Sequence, residues 1–295
     1  MKNIIKSAII ISVFLASCSN NNHSSDAYGN FETKEIIISS EATGKIIDLN
    51  IEEGQTITKN YIVGIVDTTQ LHLKKQQLLA QKSLIYSKLS NVKAQIAIQN
   101  ELRKNIMLDK KRIEKMFNDG AATQKQFDDI NGKLNVIDKQ IKNIEIQNIT
   151  INNEANVLSK QIALVQDQIQ RCLIKNPIKG TVLDKYVEPF EMAVAGKSLY
   201  KIADIKKMYL RVYVSGSQLS EIKLGQKVTV FIDNGKEDLK KLDGVITWIS
   251  DEAEFTPKII QTKEERVDLV YAVKVLVNNN GEIKIGMPGE VVFNY

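Results

Sequence analysis

Apolar positions change their period twice along this 295-residue chain. From Ile36 to Asp67 short β-branched pieces, EIIISS, ATGKIIDLNI and YIVGIVD, are cut by Gly44, Gly54 and Gly64 at ten-residue spacing. That pattern predicts half of a small all-β module with tight turns. From Thr68 the period becomes helical. In the later limb the apolar series runs Phe127, Ile130, Leu134, Ile137, Ile141, Ile144, then Asn148, Ile151, Ala155, Leu158, Ile162, Val165 and Ile169. Steps of three and four alternate strictly, as in a coiled-coil seam, and a lone Asn within one sets register more often than it carries chemistry. Cys172 is the next seam position and reads as a small core residue. The earlier limb is looser: Leu71, Leu78, Ile85, Val92, Ile106 and Ile113 recur every seven, with Gln99 as the exception, while Leu89, Ile96 and Phe117 follow members of the series by four. Each limb spans on the order of 70 Å at 1.5 Å per residue. Two limbs joined by a short break predict an antiparallel hairpin that projects into solvent.

After the hairpin, Asn176-Pro177-Ile178-Lys179-Gly180 is a stop-and-turn signal. Short β patterns resume, and from Met208 the runs LRVYV, KVTVFI, GVITWI, YAVKVLV and GEVVF alternate apolar and polar positions between glycines. Strands at this spacing predict a small antiparallel barrel or sandwich. The fold class is therefore α+β, and the sparse aromatics, with a single tryptophan, suit thin modules rather than one large core.

The N-terminus reads as a targeting segment. Lys2 and Lys6 precede the apolar run SAIIISVFLA, which small residues close before Cys18. This describes a signal peptide over residues 1–17, and the run is shorter than the ~20 residues that a membrane-spanning helix needs. SNNNHSSDAYGN, from Ser19 to Asn30, reads as a polar, flexible tether. Without residues 1–17 there are 38 basic and 35 acidic residues, a net charge of +3 too small and dispersed to suggest nucleic acid. Two histidines, His23 and His72, cannot build a metal site beside one inert cysteine, and no HExxH, CxxC, GxSxG, GxxxxGK[ST] or GxGxxG pattern occurs. No catalytic, cofactor-binding or metal site is expected, and the chain is not expected to be an enzyme.

The break between the limbs, KRIEKMFNDGAATQKQFDDI from Lys111 to Ile130, has two readings. Gly120 can end the first helix, and Thr123 can cap the second with Gln126 at capping-box spacing. Helix termination gives no role to Arg112, eight positions before the glycine, so a working tip is the second reading.

Taken in order, these features resemble the HlyD family of periplasmic adaptors, or membrane fusion proteins. Leu15-Ala16-Ser17-Cys18 resembles a bacterial lipobox, which would make Cys18 the lipidated residue. Ala42-x-Gly44-x-Ile46, Glu53-Gly54-x-x-Ile57 and Gly64-x-x-Asp67 resemble one half of a lipoyl or biotinyl module. Asn176-Pro177-x-x-Gly180-x-Val182 and Val194-x-Gly196-x-x-Leu199 resemble the other. The resemblance implies a tether and short membrane-proximal strand over 18–35, a lipoyl-like domain from 36–69 plus 173–205, a coiled-coil hairpin over 70–172 and a β-barrel over 206–295. True lipoyl carriers need a lysine on the hairpin between the halves; Lys185 lies inside the second half, so a swinging-arm carrier is a poor rival. Adaptors that dock on TolC-type channels carry Arg, an apolar residue four on and Ser seven beyond; Arg112, Met116 and Thr123 stand at those offsets, with Gly120 between them. Arg can fork onto carboxylates or carbonyls, and Met can fill an apolar groove. The family implies a homo-oligomeric, hexameric ring, lipid-anchored in the periplasm with the inner membrane favoured. It would bridge an inner-membrane exporter to a TolC-like outer-membrane channel. Long limbs, a barrel like that of ABC-associated adaptors and a sequence stopping soon after Pro288-Gly289 favour an ABC permease and ATPase as the pump. A proton-driven RND or MFS pump and a non-transport coiled-coil scaffold are the alternatives, and the cargo is not legible.

Overall fold

The structure is a computed structural model that describes residues 25–235, 239–255 and 269–293. The expected signal peptide, Cys18 and His23 lie outside the described residues. In chain order the strands and helices are β1 (Ala27–Glu32), β2 (Glu35–Ser39), β3 (Gly44–Leu49), β4 (Thr56–Ile57), β5 (Ile62–Val66), α1 (Thr69–Asn118), α2 (Gln124–Arg171), β6 (Leu173–Lys175), β7 (Gly180–Lys185), β8 (Met192–Ala193), β9 (Ser198–Ala203), β10 (Lys207–Ser215), α3 (Gly216–Leu219), β11 (Lys227–Asp233), β12 (Leu239–Phe255), β13 (Leu269–Asn278) and β14 (Pro288–Phe293). The chain divides into two compact units, one built around a barrel and one around the helical hairpin. Among the described residues no helix is long and apolar enough to cross a membrane.

The barrel closes in the order β1-β10-β13-β12-β11-β14. Alternation dictates its inside: Met208, Leu210, Val212 and Val214 of β10 point inward and meet Phe31, Val230, Val275 and Val291 in one buried cluster. A strand does lie within 18–35: Ala27–Glu32 is a stave of the barrel between β10 and β14, joining it to strands expected only from 206 onward. Only Ala27 and Phe31 of that strand are buried. Gly29 is required because a Cβ there would stand 1.7 Å from the Arg211 carbonyl oxygen.

In the hairpin unit, a four-stranded sheet in the order β6-β5-β3-β8 joins residues before the hairpin to residues after it. A further four-stranded sheet runs β2-β9-β7-β4. Asn176 ties the two sequence halves together. It is fully buried, its Nδ2 donates to the carbonyls of Thr58 and Ile178 at 2.9 and 2.5 Å, and its Oδ1 accepts from the Tyr200 hydroxyl at 3.2 Å. Burial pushes the Tyr200 phenol up to about 12 from an ordinary value near 10. Since the folded state favours the neutral phenol, this contribution is complete below pH 10 and disappears as pH rises toward 12. Over that window the unit should lose about 3 kcal/mol from this group. Urea midpoints against pH should show that loss in wild type and its absence in Tyr200→Phe.

The limbs pack as an antiparallel pair. Every seam position of α2 from Phe127 to Ile169 is buried or half-buried. The α1 seam is more regular than its sequence suggests: the half-buried Lys75, Lys82, Arg103 and Lys110 occupy the positions that break the apolar series. Lys75 Nζ donates to Gln166 Oε1 at 2.7 Å, and Arg103 Nε meets Asp138 Oδ1 at 2.5 Å. Gln99 Oε1 is buried without a hydrogen-bond partner. A buried unpaired amide oxygen is costly, so Gln99→Leu should stabilise the hairpin by about 1 kcal/mol, read as a higher midpoint in thermal unfolding followed by helix signal.

Candidate functional site: the hairpin tip

The tip is built from two helix ends whose backbone groups are satisfied locally. After Asn118 and Asp119, Gly120 adopts φ +72°, a left-handed conformation open to glycine. Its N–H donates to the Phe117 carbonyl at 3.0 Å, and the Ala121 N–H donates to the Met116 carbonyl at 2.7 Å. This pair of bonds is a Schellman ending. Thr123, extended at ψ 155°, opens α2 with a capping box: its Oγ1 accepts from the Gln126 N–H at 3.3 Å, and Gln126 Oε1 accepts from the Thr123 N–H at 2.8 Å. Phe117 and Phe127 stack beneath the turn, with ring centroids 5.2 Å apart and planes 16° from parallel, which clamps the ends of the limbs together.

Gly120 and Thr123 are thus accounted for by helix termination. Arg112 and Met116 are not. The Arg112 side chain is 76% exposed and meets only the carboxylate of Asp109, three residues earlier, at 3.2 Å. Such an exposed local pair contributes little to stability and leaves most of the guanidinium's donors available. Met116 is 47% exposed. Each lies one position before a seam residue, Ile113 or Phe117, and so the two share a flank of α1 rather than its packed stripe. Leu108, four residues before Arg112 and 49% exposed, continues that flank. It was legible as an i, i+4, i+8 series with Arg112 and Met116 but does not belong to the expected tip. The arrangement offers an exposed cation between two exposed apolar side chains.

The remaining reactive candidates are tied down. Cys172 is buried, donates to the Gln168 carbonyl at 3.3 Å, and burial followed by the charge of Asp67 pushes its thiol up, away from the reactive thiolate. Lys185 Nζ meets Glu188 at 2.6 Å with its side chain only 17% exposed, unlike a swinging-arm lysine.

No protein-family model matches the chain. The UPF0194 membrane protein YbhG of Salmonella gallinarum (strain 287/91 / NCTC 13346) is 25% identical across 91% of this chain and 88% of its own. Among solved structures, MacA from Actinobacillus actinomycetemcomitans matches 90% of this chain and 76% of its own at a TM-score of 0.57 and 18% identity. The membrane fusion protein Spr0693 from Streptococcus pneumoniae R6 matches 91% and 98% at 0.53 and 14%. With its long hairpin inserted between β halves and its six-stranded barrel, the chain has the fold of the membrane fusion proteins, or periplasmic adaptors, and it resembles YbhG along nearly its whole length.

Proposed function

We propose that this chain is the adaptor subunit of an efflux or secretion system. Cys18 is its lipid anchor in the inner membrane, and its hairpin crosses the periplasm toward a TolC-like outer-membrane channel. Arg112 and Met116 make the principal contacts at the channel, with Gly120 and Thr123 shaping the turn that presents them. The observation that carries this reading is the exposed Arg112 beside a turn that does not need it. An ABC permease and ATPase is the preferred pump, supported by the likeness of the barrel segment to that of ABC-associated adaptors and by limbs of 50 and 48 residues. Copies of the chain form a closed, probe-testable ring, hexameric by family analogy, since a head-to-tail interface that returns on itself yields a tube. The adaptor performs no turnover chemistry; it holds a conduit together.

The test is a cross-linked pull-down of the tagged protein from membranes, with partners identified by mass spectrometry. Recovery of a permease, an ATPase and an outer-membrane channel is the expected result. Recovery of a proton-driven transporter instead would reassign the pump, and recovery of no membrane pump at all would overturn the export reading in favour of a scaffold.

A further inference from the structure

The end of the barrel at which the chain enters carries an apolar rim. β1 starts at Ala27, and the antiparallel registers place that start beside the end of β10 at Ser215, the start of β13, the end of β12, the start of β11 and the end of β14. The entering segment is pinned there. Ser25 Oγ donates to Glu290 at 2.5 Å, the Asp26 carbonyl accepts from Gln218 Nε2 at 2.9 Å, and the Asp26 carboxylate accepts from the Phe293 N–H at 2.8 Å. At this same end Leu224, Phe255 and Leu269 are 66%, 72% and 57% exposed. Phe255 and Leu269 form the outermost described pair of the β12–β13 ribbon, beyond the point at which β10 stops pairing at Ser215. The ribbon is tied back by Arg211 Nη2, which donates to both carboxylate oxygens of Glu254 at 2.7 and 2.8 Å.

We infer that this end of the barrel seats on the lipid bilayer, with Leu224, Phe255 and Leu269 buried at the boundary between headgroups and acyl chains. The inference rests on the reading of Cys18 as the lipidated residue and goes beyond it. Six residues lie between Cys18 and Ser25, the first described residue, so seven residue steps join them. Fully extended, those steps reach at most about 25 Å at ~3.3–3.6 Å each. An acylated Cys18 therefore confines the pinned end of the barrel to the neighbourhood of the headgroups and does not hold it off on a long leash. Three large apolar side chains exposed at the one end so confined suit a bilayer boundary, where their burial is favourable.

The experiment uses the full-length protein in phosphatidylethanolamine/phosphatidylglycerol vesicles whose acyl chains are brominated near the headgroup. Trp248, the only tryptophan, is replaced by Phe, and a reporter is placed by Phe255→Trp on the rim or by Ile285→Trp in the loop between β13 and β14 at the other end. Mass spectrometry of the N-terminal peptide reports acylation of Cys18 separately. The rim reporter should lose emission by about twofold or more, as expected of a ring at the headgroup boundary. The Ile285→Trp reporter should be unaffected, and adding Leu224→Asp with Leu269→Asp should restore the rim reporter's emission. An acylated protein whose rim reporter is unquenched overturns the seat and leaves the anchor intact. A rim shielded only in vesicles that also hold the exporter overturns it as well and assigns the rim to a protein face. Quenching without acylation supports the seat and removes the anchor, and neither signal removes both.

Discussion

Reversing one charge with Arg112→Asp should reduce recovery of the outer-membrane channel by about tenfold or more, while the inner-membrane pump is recovered as from wild type. The size follows from placing a carboxylate where a guanidinium meets channel carboxylates or carbonyls. Losing a charged partner at an interface costs on the order of 2–5 kcal/mol, and juxtaposed like charges add to that. The structure makes the variant clean, because Arg112 is exposed and bonded only to Asp109. The helix loses one weak surface pair, so the helical signal and thermal midpoint should be unchanged. Met116→Asp should weaken the channel in the same direction through its apolar contact. Thr123→Ser keeps the capping box and should behave as wild type, whereas Thr123→Ala removes a cap worth about 1 kcal/mol and frays the start of α2. Equal recovery of the channel by wild type and Arg112→Asp would make the tip a turn and nothing more.

Asn176→Ala should destabilise the hairpin-bearing unit by about 3 kcal/mol, through the loss of a buried amide that serves three partners. Alanine leaves the Thr58 and Ile178 carbonyls and the Tyr200 hydroxyl with one bond fewer in a site from which water is excluded. Thr58 precedes the limbs and Ile178 and Tyr200 follow them, so the same amide joins the two halves between which the hairpin is inserted. The backbone repeats the connection, with the Asn60 N–H donating to the Asn176 carbonyl at 2.7 Å and the Asn176 N–H donating to the Tyr61 carbonyl at 2.9 Å. Urea unfolding should show a lower midpoint at unchanged slope, with proteolytic cuts appearing first where the limbs meet the sheet. Tyr200→Phe removes only one of these bonds and should cost about 1 kcal/mol. Similar midpoints for Asn176→Ala and wild type would show that the two halves are held by their sheet alone.

The inward face of β10 and the seam of α2 were legible because burial leaves a periodic trace: one element alternates every second residue, the other every third and fourth. The same holds for the tip, where Gly120 and Thr123 announce helix ends by their own backbone and side-chain preferences. These are local properties, and local chemistry determined them. What escaped the sequence is what distant partners supply. Lys75 and Arg103 stand at seam positions because Gln166 and Asp138 on the opposing limb receive their polar ends while their stems pack, so no apolar letter marks them. Ala27–Glu32 belongs to the barrel because its backbone hydrogen bonds pair it with β10 and β14, and partners so distant in the chain leave no signature in the segment that joins them. Asn176 reads as a helix stop in the sequence and becomes the link between halves only when folding brings Thr58 and Tyr200 to it. The sequence alone determined the elements and the turn, since their energies are set by neighbours within a few residues. Tertiary structure decided which polar groups could be buried and which segment completed the barrel, because both depend on partners that only the closed fold provides.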